Sequence, residues 1–214
     1  MLWPCLRLHF HIDEDERLVV DCDAEGLAGV HDISPLAHGQ ITGAKRIFAQ
    51  GFGMEGPSGC FSLGENVPDS HGLTALSAED GVLLAYAEDH RRFSLHFSAS
   101  DSQNFAACFN LEGTGGEKLA LPSLYFEESD DLNGGLRGCA RRIAAAMNAR
   151  HDKAPAFFWS SWYYAYETMD QQTLEETLEG LKASALPFQY VELDAGYTPS
   201  LGDWLVPNHA GPAD

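Results

Sequence analysis

Along LRLHFHI, residues 6 to 12, apolar positions alternate with polar or basic ones, the period of two expected of an extended strand with one buried face. Further strand candidates follow at residues 17–22, 44–52, 81–87, 92–99, 105–111 and 118–126. Turn-rich pieces such as EGPSG and EGTGGE separate them. Many strands with no helix between them predict a β-sandwich over residues 1–130.

The period changes after Asp131. Leu132, Leu136, Cys139, Ile143 and Met147 recur at helical spacing, and Arg141, Arg142 and Arg150 suit the negative end of a helix dipole. A helix is expected over roughly 132–149. With the polar HDKAP segment after it, residues 131–155 read as a connecting helix and linker.

Residues 156–214 read as a different unit. The aromatic run AFFWSSWYYAYE, 156–167, fits a strand buried on both faces, as in a parallel sheet. Capping candidates at Thr168 to Asp170 then precede a helix with Leu174, Leu178, Leu181 and Ala185 on one stripe. Pro187 stops it, and FQYVELD supplies a second strand. Strand, helix and strand in about forty residues make a βαβ unit, which strongly prefers a right-handed crossover.

Composition narrows the partners. With 32 acidic against 13 basic residues the formal charge is -19, a field that repels phosphate backbones and anionic lipid, so no nucleic acid and no membrane partner is expected. Neutral sugars pay no such penalty. The five cysteines are odd in number, scattered and free of any CxxC pair, so neither a disulfide framework nor a zinc site is indicated and a reducing cytoplasm fits. No basic leader with an apolar run and no stretch near ~18 apolar residues is seen.

Two motif matches are set aside, and one histidine pair reads as surface. GFGMEG, residues 51–56, satisfies GxGxxG, but Pro57 and a turn-rich stretch follow where a dinucleotide site needs a helix. HIDEDER opens like a calcium loop, yet Leu18 and Ala24 occupy the positions of its glycine and closing glutamate. His9 and His11 share a strand face but lack a third ligand nearby in sequence.

The βαβ unit carries more. In parallel α/β architectures ligands meet the carboxyl ends of strands. Asp194 closes the second strand, and the cluster Trp159 to Tyr164 lies towards the end of the first. A carboxylate accepts hydrogen bonds from hydroxyls while an indole packs against the C–H face of a sugar ring, a pairing suited to carbohydrate. An aspartate in that place equally well forms a turn or cap, and aromatics in a strand equally well build core.

The segment WSSWYYAYETMDQQTLEETLEGLKASALPFQYVELDAGYTPSLGDWLVPN resembles the opening of the catalytic barrel of microbial α-galactosidases of the melibiase and raffinose-synthase group. Its WxSWY segment, its strand end similar to [ILV]DDGY and its GDW-P-N loop occur in the family's order over residues 156–208. RIFAQGF, 46–52, is similar to a glycine-containing loop of the family's N-terminal sandwich. The resemblance implies a retaining glycoside hydrolase for terminal α-linked galactose, built as a β-sandwich followed by a (β/α)8 TIM barrel. It implies that Trp162 lines the sugar pocket, that Asp194 holds galactose hydroxyls, and that Asp203 and Trp204 belong to a loop near the site. No metal or organic cofactor is implied.

Two departures follow. Ala195 stands where the family has a second aspartate, and Gly53, Met54 and Glu55 follow Phe52 where aromatics are usual. Each lost hydrogen bond to a charged group costs ~1.5–3 kcal/mol of sugar binding, so another α-glycosidase or transglycosylase specificity stays open. A retaining mechanism also needs two carboxyl groups ~5–5.5 Å apart, which the family carries on later strands. Residues 195–214 are too few to supply them, so the expectation is the front part of a barrel, truncated, without nucleophile or acid/base. Its exposed apolar flanks suit a partner, a homo-oligomer among them. A noncatalytic carbohydrate-binding or assembly module is the alternative from another class.

Overall fold

The computed structural model describes residues 5–26, 29–54, 56–101, 104–111, 118–150 and 152–207. The chain forms two compact units, Met1–Arg150 and His151–Asp214.

The first unit stacks two antiparallel sheets over one core. A seven-stranded sheet runs in the order β1 (Cys5–Ile12), β2 (Leu18–Glu25), β11 (Lys118–Ser129), β8 (Val82–Ala87), β7 (Leu73–Ser77), β4 (Arg46–Ala49), β5 (Gly59–Ser62). A four-stranded sheet runs β3 (Asp32–Gly39), β10 (Phe105–Asn110), β9 (Ser94–Ala99), β6 (Ser70–His71). Strand alternation places Val20, Cys22, Ile47, Ala85 and Leu124 from the larger sheet against Leu95, Phe97, Phe105 and Phe109 from the smaller. The stacked pair Phe97 and Phe105, centroids 5.7 Å apart, fills the centre.

Over β7, β8 and β11 the outer face of the larger sheet is covered by α1 (Leu132–Ala146). β8 is therefore apolar at nearly every position: Ala85 and Ala87 face the smaller sheet, while Val82, Leu84 and Tyr86 meet Cys139, Leu136 and Ile143 of the helix. The helical period at 132, 136, 139 and 143 is thus a helix-to-sheet seam. Asp131 caps the helix, its carboxylate accepting from the Gly134 N–H at 2.8 Å. Asp131→Ala should cost about 1 kcal/mol, read as a lower urea midpoint at unchanged slope.

A polar network lies beneath this layer. Arg17, 8% exposed, donates to Asp13 (2.9 Å), to the Tyr86 hydroxyl (2.9 Å) and to Glu88 (2.7 Å), and its guanidinium sits 4.5 Å from the Tyr125 ring centre. Tyr86 donates to Glu127 at 2.9 Å, and Glu127 pairs with Arg142 of the helix at 3.0 Å. Asp13 is consequently a turn former: its Oδ1 accepts from the N–H groups of Asp15 and Arg17. HIDEDER has no need of calcium to hold its shape.

In the second unit β12 (Phe158–Ser160) pairs in parallel with β13 (Tyr190–Glu192), and between them lie α2 (Trp162–Ala165) and α3 (Gln171–Ala183). The expected fold class, a β-sandwich leading into the opening of a (β/α)8 TIM barrel, is corrected here. The described chain is mostly β, and this unit holds one pair of three-residue strands rather than the start of a barrel. The physical reason is burial. Barrel strands are covered on both faces, whereas every residue of β13 is exposed and α3 buries none of its side chains. The aromatic run does not stay extended either. Ser161 turns the chain into α2, leaving Tyr163, Tyr164 and Tyr166 exposed instead of buried.

Strands β3, β5, β6 and β7 lack clear sequence signals, since Pro35, Gly59 and short lengths obscure their periods. The expected EGTGGE turn, residues 112–117, lies outside the described residues, as do Glu55 of the EGPSG turn and the close of the chain from residue 208. Among the described residues no helix is long and apolar enough to cross a membrane. All five cysteines are unpaired, and burial pushes the thiols of Cys22 and Cys139 up to about 12, so both behave as small core hydrophobes.

Candidate functional site

Parallel pairing of β12 with β13 brings the carboxyl ends of both strands side by side, in register Phe158 to Tyr190, Trp159 to Val191 and Ser160 to Glu192. One residue further on, the two exits are joined. The Ser161 N–H donates to the Glu192 carbonyl at 3.1 Å, and the Ser161 hydroxyl accepts from the Asp194 N–H at 2.9 Å. Ser161 is fully buried, and its carbonyl accepts from the N–H groups of Tyr164 and Ala165, opening α2. A single side chain thereby fixes where Trp162 and Asp194 leave their strands.

Trp162 is half-buried, its indole edge-on to the Tyr166 ring with centroids 5.4 Å apart. Tyr166, the residue that ends this short helix, has φ 50° and ψ −120°. Asp194 is exposed, and its Oδ1 accepts from the Ala195 N–H at 2.7 Å. That bond sets the side chain's direction at the start of the loop.

Gly196 follows with φ 97°, and a Cβ there would lie 2.5 Å from the Glu167 carbonyl carbon. The glycine of the DAGY stretch is needed because the Asp194 loop runs against the backbone that leaves α2.

Asp203 and Trp204 belong to a separate turn of the same unit, in which the Asp203 N–H donates to the Ser200 carbonyl and the Val206 N–H to the Asp203 carbonyl. The Tyr197 hydroxyl reaches the Trp204 carbonyl at 3.4 Å, tying that turn to the Asp194 loop. Among the described residues the Asp203 carboxylate makes no hydrogen bond or ion pair, and the Trp204 indole is 61% exposed. The structure thus draws Trp162 and Asp194 together through Ser161 and connects Trp204 by its backbone. Among the described residues the Asp203 side chain makes no hydrogen bond or ion pair with either.

Ser161 itself escapes sequence reading, because the middle serine of SSW carries no sign that its hydroxyl will bridge to a strand 33 positions away. The glycine motif is resolved as architecture. A Cβ on Gly51 would fall 2.1 Å from the Gly56 carbonyl oxygen, so the first and last glycines of GFGMEG meet, and among the described residues no helix follows them to hold a phosphate. His9 and His11 do acquire a third neighbour, Asp21 of β2, opposite His9 in the antiparallel register. No protein-family model matches this chain.

Proposed function

We propose that the second unit contributes a sugar-binding surface to a glycoside hydrolase acting on terminal α-galactosides. In this reading Trp162 stacks on the apolar face of the ring and Asp194 accepts from its hydroxyls. Asp203 and Trp204 border the site. The supporting observation is the Ser161 bridge, which ties together the strand exits that lead into Trp162 and Asp194. An aromatic plane beside a carboxylate is what a neutral polyol with one C–H face requires. Ala195 leaves a single carboxylate at this point, which relaxes discrimination among epimeric hydroxyls. The nucleophile and the acid/base are assigned to no residue of this chain, whose role is to hold the sugar.

The test is a titration of the full chain with methyl α-galactoside, followed by the indole N–H signals in NMR. Asp194→Ala should weaken binding roughly tenfold or more, the equivalent of one hydrogen bond to a charged group, and Trp162→Ala about as much through the lost stacking surface. Affinity undiminished in both variants would overturn the reading and move sugar binding to the first unit.

A further inference from the structure

His9 and His11 alternate on the outward face of β1, and the β1–β2 register sets His9 opposite Asp21. Asp21 Oδ2 lies 3.7 Å from Nδ1 of His9 and 3.5 Å from Nδ1 of His11. Ligand atoms of the three residues all fall within 4.8 Å of one another. Two nitrogens and an oxygen around a tetrahedral zinc at ~2.0–2.2 Å are separated by about 3.4 Å, so the aspartate already stands near the required spacing from both imidazoles.

The carboxylate is itself held. Leu121 pairs with Cys22 and Leu124 with Val20, so Pro122 and Ser123 together oppose Asp21, a bulge of one extra residue in β11. The Ser123 hydroxyl donates to Asp21 Oδ1 at 2.5 Å, leaving Oδ2 for the histidine side. A bulge that aims a hydroxyl at the far oxygen of a would-be ligand is the kind of outer support that metal carboxylates receive. Asp23 continues along the same face of β2, beyond it Glu25 is already paired with Arg7 and Lys118, and the chain's charge of -19 favours a cation.

We propose that His9, His11 and Asp21 form a binding site for a divalent transition ion of the zinc type, with Ser123 positioning the carboxylate. Imidazole nitrogens with one carboxylate oxygen favour zinc over magnesium or calcium, and three protein ligands leave a fourth position for water. Among the described residues β1 is an edge strand paired only with β2, so the ion would staple β1 to β2. The sequence shows the two histidines; only the register and the bulge supply the other half.

The test is calorimetric titration of the untagged full chain with zinc chloride, alongside its melting temperature with and without the ion. Expected are one strongly bound ion per chain and a rise in melting temperature. His9→Gln, His11→Gln and Asp21→Asn should each weaken binding at least tenfold, and Ser123→Ala about tenfold. Far-UV circular dichroism of the metal-free variants, altered at exposed (His9, His11) or partly exposed (Asp21, Ser123) positions, should match the parent. Absence of zinc binding overturns the proposal. So does binding that Asp21→Asn and Ser123→Ala leave unchanged, which would mean a chance histidine pair, or binding that all four leave unchanged, which would place the ion elsewhere, as at the cross-strand pair His71 and His96.

Discussion

Replacing Arg17 with methionine should cost the first unit about 3 kcal/mol and lower its melting temperature by roughly 6–12 °C. Methionine keeps the stem and removes the fork. What remains is Glu88 and Asp13 without their cation and a fully buried Tyr86 hydroxyl that has lost its donor. Breaking a buried pair by removing one partner ordinarily costs ~3–5 kcal/mol; the lower end applies because side chains of Asp13 and Glu88 are 20% and 21% exposed and recover some hydration.

The pH dependence gives this prediction a second readout. Burial alone would raise the Asp13 carboxyl, but hydrogen bonds from the Arg17 backbone and guanidinium outweigh it and the net direction is down. A depressed carboxyl contributes stability that is present above its unfolded value and is lost as pH falls through the folded one. The gap between parent and Arg17→Met should therefore shrink as the solution is acidified below the ordinary aspartate range. Thermal melts across that range check it; a gap independent of pH would separate Arg17's role from Asp13.

Gly196→Ala should disrupt the Asp194 loop outright. Alanine at φ 97° is strained on its own account, by ~1–3 kcal/mol, and here its methyl would lie 2.5 Å from one backbone atom of Glu167 and 2.7 Å from two others. Backbone cannot swing aside as a flexible side chain can. Either the loop moves off α2 or the strand exits separate, and both displace Asp194 from Ser161. Hydrogen exchange should show lost protection at the Asp194 amide while the sheets of the first unit keep theirs. Full protection at Asp194 would show that the loop absorbs the methyl without moving.

These two sites differ in how far the sequence discloses them. Glycine after a strand-ending aspartate is a visible signal, and the alternation in 92–99, 105–111 and 118–126 announces strands whose inward residues do build the core. The period at 132, 136, 139 and 143 announces a helix, and its partner strand β8 shows itself as a nearly unbroken apolar run. Arg17 is different. A lone arginine after DEDE reads as surface, because its burial depends on Tyr86, Glu88 and Tyr125, residues far along the chain.

The second unit shows the opposite error. Aromatic density in 156–167 signals burial, yet hydrophobicity has no direction until a partner face exists, and here most of those rings stay exposed. Asp21 was hidden for a third reason: cross-strand neighbours follow from a turn's geometry, and bulges follow from neither period nor propensity.

The position of β11 between β2 and β8 also bears on how the first unit assembles. Its bulge residue Ser123 and the Asp21 it meets are 102 positions apart. Joining segments so distant costs loop-closure entropy before any contact repays it, which marks this sheet as a slow folder. The hairpin of β1 and β2, and the run from β7 to β8, can each form locally. Until β11 slots between them, one side of β2 and one side of β8 remain open rows of unpaired amides and carbonyls. A nascent chain would carry both exposed edges until residue 129 had emerged, and that interval is when it is most open to intermolecular strand pairing.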